Sequence, residues 1–147
     1  GCVQVARLWC VPAPVPSFEE KEKSIFGGKM KKRFDTLRNI ESALLVFAGL
    51  IHIIFLLFVV DRANTPVQLY GGAMFFGIAY TVLGILIWRK VGIALPIALV
   101  INSIGLIGVI TMFEQSPLRM VDPFLIAIDL VSVPLLIYLN INRKEFL

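Results

Sequence analysis

From Ala43 to Val60 the chain reads ALLVFAGLIHIIFLLFVV, eighteen consecutive residues with one polar side chain, His52, and no formal charge. A helix of about 20 apolar residues crosses the hydrocarbon core of a bilayer, so this run predicts a membrane span rather than a soluble helix. Three more such runs follow, and the pattern predicts helices over about 40–60, 69–88, 91–113 and 121–139. The breaks between them are short. Asp61 and Arg62 end the first run, and Asn64-Thr65-Pro66 supplies turn chemistry before the second. Only Arg89-Lys90 separates the second from the third. The fold class this predicts is an all-α integral membrane protein, a four-helix up-down antiparallel bundle.

Small residues suggest how the helices meet. The second run holds Gly71, Gly72, Ala73, Gly77 and Gly84, and the third holds Gly92, Gly105 and Gly108. In lipid such residues let backbones approach closely. With a two-residue link, spans two and three are expected to form a tight hairpin through these faces. Pro96 and Pro134 are expected to kink spans three and four. Tyr70 and Trp88 sit where interfacial aromatics belong.

Residues 1–39 differ from the rest. Pro12, Pro14 and Pro16 give an irregular opening, and acids and bases alternate from Glu19 to Arg38. This stretch reads as a disordered or interfacial cytoplasmic segment. Met30-Lys31-Lys32-Arg33 resembles a natural start, which would make 1–29 an upstream extension. Residues 140–147 form a short cytoplasmic tail.

Charge fixes an orientation. Of fourteen Lys and Arg, eight precede the first span, two lie between spans two and three, and two follow span four. Only Arg62 and Arg119 fall on the other side. Positive residues gather on the cytoplasmic side of membrane proteins, so both termini are expected there. The pI near 9.3 therefore reflects topology, and no nucleic-acid partner is expected.

The informative residues are polar ones at depth. Counting about 1.5 Å per residue from the cytoplasmic span ends puts His52, Asn102 and Asp129 near the middle of the bilayer. Tyr80 and Thr81 come about one turn lower on the same count. His52, Tyr80, Asn102 and Asp129 form a candidate midplane cluster, with His52 and Asn102 the expected partners of Asp129. Asp122 and Ser132 share a helix face with Asp129. Asp61, Glu114 and Asp122 form a candidate acidic entrance at the outer end.

Other chemistry finds little support. Cys2 and Cys10 have no zinc-like spacing and no further cysteine to join them. Phosphate-loop, nucleophile-elbow and zinc-protease motifs are absent. A single His excludes a bis-histidine haem within one chain. No catalytic, cofactor-binding or metal-ligating residue is assigned, and the sequence specifies no cofactor. In chain length and span number the protein resembles the small multidrug transporters in outline, but Glu41 lies at the edge of the predicted first span and no family is assigned.

Two functions follow as expectations. The first is a non-enzymatic accessory or assembly subunit of a larger membrane complex, with lipids and other membrane subunits, or a second copy, as partners. The alternative is a small proton-coupled or ion transporter, oligomeric, using Asp129 and His52.

Overall fold

The computed structural model describes the backbone of residues 18–61 and 63–146, and the side chains of 28–61 and 63–143. Four helices follow in order: α1 (Phe18–Phe58), α2 (Val67–Trp88), α3 (Ala94–Thr111) and α4 (Asp122–Phe146). A short 3-10 turn, Phe113–Gln115, lies between α3 and α4. All four are long and apolar enough to cross a membrane. Their outer faces carry Leu57, Phe75, Val100, Ile107 and Val131, each more than half exposed. Such a surface is stable against acyl chains and not against water. The chain is a multi-pass membrane protein.

The helices pack in a ring, α1 on α2, α2 on α3, α3 on α4 and α4 on α1. The core holds Phe34, Leu45, Leu56, Ile87, Leu95, Leu136 and Leu139. This is the four-helix bundle that the hydrophobic runs predict.

Helix α1 departs from expectation at its start. Where the sequence reads a disordered or interfacial segment up to residue 39, one helix runs unbroken from Phe18. Glu, Lys, Met, Arg and Leu dominate this stretch, all good helix formers, and no proline interrupts it. Phe34 and Arg38 are buried, which ties the charged extension to the bundle. The proline-rich opening, Cys2 and Cys10 lie outside the described residues.

The expected tight hairpin of α2 and α3 is also displaced. The closest packing joins α1 and α2. A Cβ at Gly49 would overlap Thr81 Oγ1 and stand 2.6 Å from the Gly77 carbonyl oxygen. Gly77 faces His52 and Ile53, and Gly84 faces Ser42 and Val46. Ser42 Oγ donates to the Gly84 carbonyl at 2.7 Å, and Tyr70 Oη to the Leu56 carbonyl at 3.2 Å. Small residues recur at a seven-residue interval on both helices, Ser42 and Gly49 against Gly77 and Gly84. A short link only fixes the ends of two helices; matched small faces decide which pair closes along its length.

The α2–α3 link is nonetheless well built. Lys90 adopts φ 63°, in the left-handed region. Its N–H donates to the Ile87 carbonyl and that of Val91 to the Leu86 carbonyl, both at 3.0 Å. This is the Schellman pattern, usually closed by glycine. Asp61 organises the α1–α2 turn, accepting from the Ala63 N–H at 2.9 Å and from Asn64 Nδ2 at 2.7 Å. Pro96 does not interrupt α3 as expected, because it falls in the first turn, where its missing N–H has no helical acceptor. Pro134 lies inside α4 and leaves the Leu130 carbonyl without its helical donor.

Candidate functional site

The register of α1 against α4 decides which polar groups meet. The Phe47 ring packs edge-on against Phe124, centroids 6.2 Å apart. In antiparallel helices that pairing brings His52 to within about one turn of Asp122, and Glu41 level with Leu130, between Asp129 and Ser132. The electrostatic neighbours agree: His52 interacts with Asp122, and Glu41 with Ser132 and Asp129. Among the described residues, Asp129 makes no hydrogen bond to His52 or Asn102. The sequence count placed His52 too near Asp129 because it began the first span at residue 40. Helix α1 begins well before that residue, with Phe34 and Arg38 already buried against the bundle, and each residue adds about 1.5 Å.

Between α2, α3 and α4 lies a cavity of about 180 Å³. Gln68 and Met112, both exposed, stand at its mouth, at the end of the bundle where α2 begins and α3 ends. Asp129 lines its deep end, about 10 Å along α4 from Asp122. The walls are mainly apolar, with Phe76, Val109 and Leu125 among them. Glycine keeps it open. A Cβ at Gly72 or Gly108, both lining residues, would meet nothing within 4 Å.

His52 reaches the cavity from α1. Its Nδ1 donates to the Ala48 carbonyl at 2.9 Å, which leaves Nε2 as the ring nitrogen free for other chemistry. The His52 ring meets Tyr80 edge-on, centroids 5.7 Å apart. Tyr80 is 2% exposed, and its hydroxyl occupies the space that a side chain at Gly105 would fill. Asp129, 4% exposed, points inward as expected and interacts with Tyr80 and Glu41. Asp122 is 1% exposed, with one carboxyl oxygen lacking a partner. It stands in the first turn of α4.

Comparison with known proteins returned no matching family model, curated protein or solved structure. The site must therefore speak through its own chemistry.

Three of the four midplane candidates, His52, Tyr80 and Asp129, converge on the cavity. Asn102 is fully buried with both amide atoms unpartnered, but it does not line the cavity. Of the outer acids only Asp122 belongs. Asp61 serves the α1–α2 turn, and Glu114 is exposed on the 3-10 turn. Neither lines the cavity.

Glu41 is what the sequence reading missed. It is fully buried, both carboxyl oxygens lack a hydrogen bond, and the Ser132 hydroxyl beside it is unpartnered too. The signal was its neighbour Ser42, which belongs to the small-residue face that α1 shares with α2. Counting Glu41 with that face rather than with the charged extension places it inside the bundle.

Three buried carboxyls, Asp122, Asp129 and Glu41, thus share the interior with one buried base among the described residues, Arg38. Arg38 is already engaged, Nη2 to Asp35 Oδ1 at 2.8 Å. An unmatched carboxylate at membrane depth costs about 2.5–3.5 kcal/mol on insertion scales. These acids must hold protons or meet cations, and the cavity is where either can reach Asp122 and Asp129.

Proposed function

We propose that this protein is a small transporter that carries protons, or a solute coupled to them, through the cavity that ends on Asp129. The observation that carries the reading is the cavity itself, an apolar funnel with an imidazole, a phenol and two carboxyls on its walls. Polar residues that only fix helix register pair with each other across a packed interface. Here they face open space. The accessory-subunit reading drew its support from the lack of any recognisable site, and the cavity weakens that ground.

We further propose that both termini are cytoplasmic and the cavity opens outward. Lys29, Lys31, Lys32 and Arg33, the α2–α3 turn and Arg143 lie at one end of the bundle, and the cavity mouth lies at the other. Single cysteines at Asn64 and Gln115 in whole cells should react with an impermeant thiol reagent added outside. Reaction only after the cells are opened would reverse the orientation.

Reconstitution tests the function. Liposomes containing the protein, loaded with a pH-sensitive dye and given an imposed membrane potential, should acidify faster than empty liposomes. Equal rates at either polarity, with and without a pH gradient, would sink the transporter reading and restore the accessory subunit.

A further inference from the structure

The cavity stops at Asp129, yet the polar chemistry continues beyond it. Ser132 follows Asp129 by three residues on α4, so the two side chains lie on one helix face. Across from Ser132 on α1 stands Glu41, level with the cytoplasmic half of α2, where Ser42 bonds Gly84 one turn before the helix ends at Trp88. Glu41 and Ser132 are fully buried, and neither carboxyl oxygen of the one nor the hydroxyl of the other has a hydrogen-bond partner. Natural interiors rarely leave so many polar atoms unpaired side by side. Arg38 lies one turn further along α1, 4% exposed, with its Nε also unpartnered and its Nη2 held by Asp35. On α2 no charged residue stands at this level; Arg89 and Lys90 are exposed beyond its end.

Resting on the transporter reading, we propose that Glu41 is a second proton-carrying residue, which receives the proton from Asp129 through the Ser132 hydroxyl. In this step Asp129 gives its proton to Ser132 Oγ as the Ser132 hydroxyl gives its own to the Glu41 carboxylate. Asp129 is left as a carboxylate and Glu41 as a carboxylic acid. One proton has moved from α4 to α1, to a carboxyl one turn from Arg38, and rotation of the hydroxyl resets the relay. Two carboxyls so close in a dry interior favour holding one proton between them over being ionised together. Arg38, one turn on, offers a cation to whichever charge reaches Glu41 before release. The outer half of the path is thus an open cavity and the inner half a chain of side chains, which would conduct protons and hold back larger ions.

The test uses full-length protein in liposomes, with proton flux and the infrared difference spectrum between acid and alkaline pH as readouts. Wild type is expected to show carboxylic acid C=O bands, one of which disappears in Glu41→Gln, and flux in that variant should fall to the level of empty liposomes. Glu41→Asp should restore part of it. Should Glu41→Gln fail to fold, Ser132→Ala supplies the same test: slowed flux supports the relay, and an unchanged rate overturns it. If wild type conducts and Asp129→Asn does not, while Glu41→Gln conducts at the wild-type rate, Glu41 is no part of the path. If wild type itself does not conduct, the transporter reading has failed first.

Discussion

Gly49→Ala is expected to be among the most damaging single substitutions in the chain. Its added methyl would overlap Thr81 Oγ1 and lie 2.6 Å from the Gly77 carbonyl oxygen and 2.7 Å from the Thr81 backbone nitrogen. A side-chain tip can rotate away from such a clash, but backbone atoms move only with their helix. α1 and α2 would have to separate, loosening the Ser42–Gly84 hydrogen bond and the seat of Gly77 on His52. Overpacking of this kind costs about 1–3 kcal/mol. Gly71→Ala is the matched control, since a Cβ there meets nothing within 4 Å. Thermal unfolding in mild detergent, followed by circular dichroism, should show a clear drop in midpoint for the first variant and little change for the second. Equal midpoints would mean that α1 and α2 do not close on each other through Gly49.

Asp129→Asn should have the largest effect on function and a small one on stability. The amide keeps the size and hydrogen-bonding shape of the carboxyl but cannot take up or release a proton at ordinary pH. Asp129 lines the cavity and neighbours Tyr80 and Glu41, so no strong ion pair is lost with its charge. Removing an unpaired acid from the interior should leave the unfolding free energy within about 1 kcal/mol of wild type, or raise it slightly. Proton flux, by contrast, should fall to that of empty liposomes. A variant that folds normally and conducts normally would assign Asp129 a purely structural role.

The architecture was legible because lipid imposes a simple rule. Each span must present an apolar surface of a given length, and four runs meeting it stand out along the chain. Helix contacts were harder to read, because they depend on which small residues align across two helices. Gly77 looked like a partner for α3 and proved to be one for α1, matched by Gly49 and Ser42. The site was half legible for the same reason. Asp129, His52 and Tyr80 stood out as polar groups in apolar surroundings, but their relative heights required the start of α1, which its charged residues concealed. Beginning at residue 40 paired His52 with Asp129 and left Glu41 at the surface. The helix instead continues through that charge, pairing His52 with Asp122 and carrying Glu41 into the core. No periodicity announces a cavity either; it depends on Gly72 and Gly108 lining open space that larger side chains there would enter.

All of this rests on water reaching Asp129 from one end of the bundle. Leu125 is the residue to ask, since it lines the cavity one turn from Asp129 and is 2% exposed. With Cys2 and Cys10 replaced by serine, Leu125→Cys and, at the mouth, Met112→Cys should both react with a charged, membrane-impermeant thiol reagent from one face of the membrane. Adding Gly108→Phe, which fills the cavity between them, should slow the reaction at 125 and spare that at 112. Rapid labelling of Met112→Cys beside a wholly unreactive Leu125→Cys would show that the cavity carries no water to Asp129, and would contradict the account.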